Sequence, residues 1–442
     1  MAELTENAGL LESTREPSLV GAATRFSVSI LVGLLAGLVL QVWTLAFLGH
    51  LGGQALYIRA IYTPVSFLVL AVTEGISVAS QVSAGIATRN GRPDVLRPLP
   101  TYAAVSGGLL LLIAAVFTAA QSAIFSVLGV GAADRHSILT FVTTMCLASI
   151  IALLPTIAGA MLRGMGRTGA SSLLAAGSVA LTIAAMAVLR ATTGLGVLAV
   201  PAGTVIAAIP SCVAAAALLR GHLRQIPGLK VRRADLRDLL TFGLPVAGTF
   251  LLLSVVNSGY LRVLRNAGAT DISGFNLGQN ANSLIMVVGV AIGSGVAIAA
   301  NLREGEDRHP VVKAGLSATV AMTIPAYAVV GGLTYLFRNP LAGLLTSDKA
   351  VAAVGATYFM WMGPAFVVLG GTLALLTYLE QVGRASTAFT LNTIYFAVML
   401  AIAFAMPQPV SSTELIRLIA VSNVIGFVTC WLSARYLIDR RR

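Results

Sequence analysis

Two hexapeptides, Leu162-Arg163-Gly164-Met165-Gly166-Arg167 and Leu379-Glu380-Gln381-Val382-Gly383-Arg384, stand 217 residues apart at the ends of apolar stretches. Each closes the fourth apolar segment of its half, so the chain reads as one six-segment unit written twice. Such repetition points to transport, because two rigid halves can rock about a site held between them. Earlier pairs keep the order. Glu74-Gly75 matches Ser294-Gly295, and Gln81-x-x-x-Gly85 matches Asn301-x-x-x-Gly305, both at a spacing of 220. The drift to 217 places a three-residue difference in the intervening loops.

Composition agrees with a membrane protein. Of 442 residues, 57% are hydrophobic and 10% charged, against about 25% charged in soluble domains. The net charge of +12 comes from residues between apolar segments, with no aromatic-basic face beside them, so no nucleic-acid partner is expected. Cys146, Cys212 and Cys430 lie in apolar stretches without ligand spacing and read as small core residues. Arg outnumbers Lys 26 to 3, a usage that suggests a GC-rich bacterial genome.

A bilayer crossing needs about 20 mostly apolar residues. Twelve stretches qualify, at 26–48, 55–87, 99–128, 137–161, 169–190, 197–219, 239–264, 272–302, 311–337, 350–379, 385–406 and 414–437. The fold expected is an all-α integral membrane protein, with twelve transmembrane helices in two pseudo-symmetric six-helix bundles. Its parts are a cytoplasmic tail (1–24), an N-terminal lobe (25–220), a basic linker (221–238), a C-terminal lobe (239–438) and a basic tail (439–442). Glu3, Glu6, Glu12 and Glu16 make the start unlike a cleaved signal peptide.

Orientation follows from the cations. With a cytoplasmic N-terminus, the tails and cytoplasmic loops collect 21 of the 29 Lys and Arg residues. The positive-inside rule then puts both termini in the cytoplasm of a bacterial inner membrane. The linker carries Arg224, Lys230, Arg232, Arg233 and Arg237 around Pro227-Gly228, as a topology-fixing segment near anionic lipid would. With an even number of spans per half, the halves are related by an axis along the membrane normal.

Several motifs carry a resemblance. They are Leu48-Gly49-His50-Leu51-Gly52 after the first span, Ser80-Gln81-x-x-x-Gly85 closing the second, and Leu162 to Thr168 after the fourth. Gly196-x-x-Ala199-x-x-x-Gly203-Thr204 opens the sixth span and Gly243-Leu244-Pro245 the seventh. In order and spacing, over essentially the whole chain after residue 25, these resemble the multidrug and toxic compound extrusion (MATE) family. The resemblance implies an inner-membrane antiporter that expels amphipathic, often cationic, organic molecules using a Na+ or H+ gradient. The chain departs from the family at its usual acids. The first-span Asp position holds Thr44, the fifth-span Asn-x-x-x-Asp positions hold Thr182 and Met186, and the early Pro of the first span is replaced by Ser29.

Glu74 is read as the acid set well inside a span. Val65 to Val72 precede it, and no other charge occurs until Arg89. A charged group at mid-helix costs roughly 2.5–3.5 kcal/mol on insertion scales, and such groups face a bundle interior or an aqueous cavity. A carboxyl so placed can exchange a proton or hold a cationic substrate as access alternates. Glu74 is therefore the ion-coupling or substrate-binding candidate, replacing the missing Asp. The alternative is a protonated Glu bonded to a neighbouring helix. Gln41, Thr44, Asn257, Gln279, Asn280, Asn282 and Asn392 are candidate cavity-lining residues, or else hydrogen-bonding glue between helices. Arg59, Arg262 and Arg265 read as interfacial cations, with Asp271 a potential partner.

No catalytic, metal or nucleotide motif occurs: His50, His136, His222 and His309 lack ligand spacing, and no G-x-x-x-x-G-K-[ST] is present. The expected partners are a small-molecule substrate and the lipid bilayer. No cofactor beyond a coupling H+ or Na+ is implied, and a monomer is expected. Two other readings stand beside export of drugs or natural products. A flippase for a lipid-linked saccharide would need several intramembrane Arg or Lys to hold pyrophosphate. A non-transporting sensor would need a soluble output domain.

Overall fold

The computed structural model describes residues 18–51, 53–92, 94–127, 131–223, 231–303, 308–346 and 348–439. Most of the N-terminal tail, linker residues 224–230, the turn at 304–307 and the tail from 440 to 442 lie outside them. Every long element is a helix, and no strand occurs among the described residues. The first six are α1 (Leu19–Gly49), α2 (Gly53–Arg89), α3 (Leu99–Ala119), α4 (Ala132–Gly164), α5 (Thr168–Thr192) and α6 (Ala199–Leu223). The second six are α7 (Leu244–Val263), α8 (Ala269–Asn301), α9 (Arg308–Leu336), α10 (Lys349–Leu379), α11 (Ala385–Ala405) and α12 (Ser412–Asp439).

Eleven continuous helical stretches are long and apolar enough to cross a membrane, and one of them, Lys349–Ala405, has 57 residues. It is two crossings. Gly383 stands at φ 89°, inside the turn Glu380–Arg384 that joins α10 to α11. Its counterpart Gly166, at φ 76°, reverses the chain between α4 and α5, and there the Arg167 amide donates to the Leu162 carbonyl (2.9 Å). A left-handed backbone is cheap only for glycine, which is why both hexapeptides keep a Gly before their Arg. The fold is thus twelve spans in two six-helix bundles.

Packing repeats the sequence symmetry. In the first bundle α4 packs on α2, α3 and α6, and α1 on α5. In the second, α10 packs on α8, α9 and α12, and α7 on α11. The bundles meet where α1 crosses α8 and α2 crosses α7. Glycine governs both crossings. A Cβ on Gly75 would stand 2.8 Å from the Gly243 carbonyl oxygen, and one on Gly295 would stand 2.8 Å from that of Ala23. Gly75 and Gly295 differ by 220 residues, as do Ala23 and Gly243, so the two close approaches are copies. Small residues let backbones approach in lipid, where no hydrophobic force drives helices together.

The outer faces are apolar. Val28, Val32, Val39, Leu112, Val116, Leu173 and Val213 are all more than half exposed. In water this surface would be an association hazard; in a bilayer it is the lipid contact. Inside, the first bundle packs Tyr62 edge-on to Phe141. The second runs an edge-to-face chain from Tyr260 through Phe275 and Tyr358 to Phe359.

Among the boundaries that differ from the sequence expectation, two have a visible physical cause. Helix α1 begins at Leu19, not near residue 26, because the Ser18 hydroxyl accepts from the Gly21 amide (3.1 Å) and caps it. Part of the linker is also helical. Arg233–Asp238 forms a short helix whose Asp235 is fully buried. Arg97 pairs with that carboxylate at 3.2 Å, and the Thr101 hydroxyl donates to its other oxygen at 3.3 Å. The linker is therefore tied to the start of α3. In the first turn of α8, Asp271 accepts from the Ser412 hydroxyl, a partner other than the arginines weighed from sequence.

Candidate functional site

A cavity of about 360 Å³ lies among α1, α2, α4, α5, α6 and α8. Helix α2 contributes Glu74, Ser77, Val78 and Gln81 to its wall, one face of the helix at i, i+3, i+4 and i+7 spacing. Pro155, Gly159 and Arg163 of α4 stand opposite. Ser171, Ser172, Ser178 and Thr182 line the α5 side, and Ser294 and Gln381 bring in the second bundle.

Arg163 organises the base of the cavity. Its Nε donates to Gln81 Oε1 (3.0 Å), Nη2 to the Ser77 hydroxyl (2.8 Å) and Nη1 to the Ser171 hydroxyl (3.3 Å). From Gln81 the chain of bonds crosses between bundles: Gln81 Nε2 donates to Gln381 Oε1 (2.5 Å), and Gln381 Nε2 to the Ser294 hydroxyl (2.8 Å). Asn301 Nδ2 donates to the Gln381 carbonyl (2.7 Å). These bonds lie toward the end of the molecule where α1 begins and α12 ends. There the two bundles are joined by side-chain amides.

Glu74 sits two turns of α2 further in than Gln81, roughly 10 Å along the helix axis. Its carboxyl has no hydrogen-bond partner among the described residues, and the field of Arg163 reaches it. A second acid belongs to the neighbourhood. Glu380 lies in the electrostatic field of Glu74 and near Thr249 of α7, whose hydroxyl donates to the Pro245 carbonyl (3.2 Å). Glu380 lies in the turn between two crossings, a place that sequence assigns to a loop.

Arg163 is the larger omission. Sequence counts it with the cytoplasmic loop cations, yet it occupies the last turn of α4 and turns into the cavity. The signal for it was the hexapeptide itself, whose repeated copy puts Glu380 at the same place.

The other candidate residues fall elsewhere. Gln41, Asn257 and Asn280 are exposed and Thr44 is half-buried. None of these four belongs to the cavity wall. Gln279 accepts from the Tyr358 hydroxyl (3.2 Å) within the second bundle. Asn282 has a buried Oδ1 without a partner among the described residues. Asn392 is buried in α11. Of the positions where family acids were expected, Thr182 lines the cavity while Met186 is fully buried. Ser29 accepts, through its carbonyl, from the Ser172 hydroxyl.

Comparison with known proteins agrees with this architecture. The MatE family domain matches residues 245–406. A probable multidrug resistance protein NorM of Aromatoleum aromaticum is 31% identical over 128 residues, a match covering 28% of this chain and 27% of the relative. The aligned segment therefore spans about a quarter of that relative's length. Among solved structures, the Vibrio cholerae MATE transporter VcmN in the bent form superposes with a TM-score of 0.87 at 17% identity, over 96% of this chain and 98% of the other. An outward-facing multidrug resistance MATE transporter of the MOP superfamily gives 0.85 at 15% identity, over 97% and 98%. Residues 245–406 thus match the MatE family domain, and the chain has the fold of solved MATE transporters, that of a multi-pass membrane protein.

Proposed function

We propose that this chain is a secondary active efflux transporter of the bacterial inner membrane. It exports small amphipathic or cationic organic compounds, drugs or natural products, by alternating access coupled to inward movement of H+ or Na+. In this reading both termini are cytoplasmic. The Gln81–Gln381 bridge then closes the cytoplasmic side, and the cavity awaits exchange with the opposite face. Glu74 is the coupling or substrate-binding acid.

One observation carries this reading: an unpartnered carboxyl faces a cavity whose base is the hydrogen-bonded joint between two rigid bundles. A charge arriving at or leaving Glu74 competes for Arg163, and Arg163 holds Gln81 in that joint. Site occupancy and lobe contact are coupled through two side chains. A ligand shifts such an equilibrium only by its difference in affinity for the two states. The joint, made of a few hydrogen bonds each contributing about 0.5–1.5 kcal/mol, is weak enough to be so biased. The cavity holds one guanidinium, which argues against the several cations that a pyrophosphate-carrying flippase would require.

The test is flux. In proteoliposomes, ethidium movement under separately imposed H+ and Na+ gradients should appear with one of them. Glu74→Gln, reconstituted at equal density, should abolish it. Undiminished flux in that variant refutes the assignment of Glu74.

A further inference from the structure

The cavity wall offers a flat organic cation only weak binding. Its described residues include no Phe, Tyr, Trp or Met, whereas aromatic faces are what hold such cations in a desolvated site. Hydroxyls take their place. Thr182 and Thr204 donate to carbonyls one turn earlier on their own helices, and Ser172 donates to the Ser29 carbonyl of α1. Each keeps oxygen lone pairs for accepting from a ligand N–H.

The charged groups are likewise double. A guanidinium has five N–H donors, of which Arg163 spends three on Gln81, Ser77 and Ser171, leaving one on each terminal nitrogen. Those spare donors suit a carboxylate. The Glu74 carboxyl, unpartnered in the same cavity, suits an ammonium. A lone cation entering here is drawn by Glu74 and repelled by Arg163, so its net gain is small. A ligand bearing both charges is attracted at both ends. At about 360 Å³ the cavity lies near the lower end of the usual ligand-site range, roughly 300–1,000 Å³, which favours a compact molecule.

We infer that the cavity takes a small zwitterion of amino-acid or short-peptide type, with its ammonium at Glu74 and its carboxylate at Arg163. This narrows the substrate class of the transport reading and rests on it.

The test uses a matched set of probes: the dipeptide Leu-Leu, its C-terminal amide (a cation), its N-acetyl derivative (an anion), and ethidium. Binding of each to the full chain in nanodiscs is measured by calorimetry. The zwitterion should bind about tenfold or more tighter than either blocked peptide, the discrimination expected of one charge-assisted bond at each end. Arg163→Gln should erase the preference over the amide, and Glu74→Gln the preference over the acetyl form. Arg163→Lys, which keeps the charge, should retain part of the first preference. Equal or tighter binding of the amide or ethidium by the wild-type chain overturns the inference, as does failure of all three peptides to bind. Gradient-driven ethidium flux without peptide binding would sink the zwitterion and leave the transporter standing. Peptide binding with no gradient-driven flux of peptide or dye would do the reverse.

Discussion

Arg163 and Glu380 occupy the same place in the two halves of the chain, 217 residues apart, with opposite charge. Arg163 is held by α2 and α5 and faces the cavity. Glu380 lies near Thr249 of α7 and outside the cavity wall. A symmetric scaffold therefore carries an asymmetric site: the ligand-facing charge belongs to the first half, and the second half answers with Gln381 and Ser294. The predictions below follow from that division.

Glu380 and Glu74 should behave differently when neutralised. Glu380→Gln removes a charge that lies outside the cavity and leaves the cavity wall intact, so gradient-driven flux should stay within about tenfold of wild type. Glu74→Gln should lose it. Flux from proteoliposomes at matched protein density distinguishes them, and a reversed order would transfer the coupling role to Glu380.

The joint between bundles can be stapled. A Cβ built on Gly85 lies 3.5 Å from the Asn301 Cβ, within the range of about 3.5–4.5 Å that a disulfide spans. The double variant Gly85→Cys/Asn301→Cys should cross-link readily under mild oxidation. Flux should stop when it does and return on reduction, with each single variant insensitive to oxidant. Unaltered flux in the cross-linked protein would mean that the bundles do not part at this end.

The linker contact should matter for stability. Asp235→Ala leaves Arg97 and Thr101 without the carboxylate they share. Losing one partner of a buried polar contact costs about 1–3 kcal/mol. The detergent-solubilised variant should melt measurably lower than wild type, while Arg233→Ala on the same short helix, at an exposed position, should melt as wild type does.

Close approach between α2 and α7 gives a further test. Gly75→Val places side-chain atoms against the Gly243 carbonyl oxygen, which lies only 2.8 Å from the Cβ position. Overpacking of this kind costs about 1–3 kcal/mol. Gly37→Ala, whose Cβ would meet no heavy atom within 4 Å, should leave the melting temperature unchanged. Equal melting temperatures for the two variants would remove the argument that these glycines set the bundle crossing.

The architecture was legible because hydrocarbon imposes a simple rule: an apolar run of sufficient length must cross, and turns must break it. Twelve such runs, and a hexapeptide whose Gly-Arg ending recurs, lead to two six-helix bundles. The wall of the cavity was harder to read. Helices bordered by lipid on one side and protein on the other are apolar nearly all round, so no polar stripe marks the face that turns inward. Asn257 and Asn280 look like cavity residues by type, yet both are exposed. Ser171, Ser172 and Ser178 look unremarkable, yet they line the site. Arg163 escaped notice for a different reason. Counting cations by loop assigns a residue in the last turn of a helix to the water outside, and only coordinates reveal that its side chain reaches back over the preceding turns. Glu74 stood out in the sequence because a lone acid in an apolar helix needs a cavity or a donor, and in the structure it lines the cavity.

The central claim is that the Glu74 carboxyl links an ion gradient to movement of a ligand through this cavity. Its most direct test is gradient-driven efflux by Glu74→Gln in proteoliposomes, set against wild type at equal reconstituted density. Loss of gradient-driven efflux, with the variant still folded and inserted, is the predicted result; efflux at the wild-type rate would contradict it.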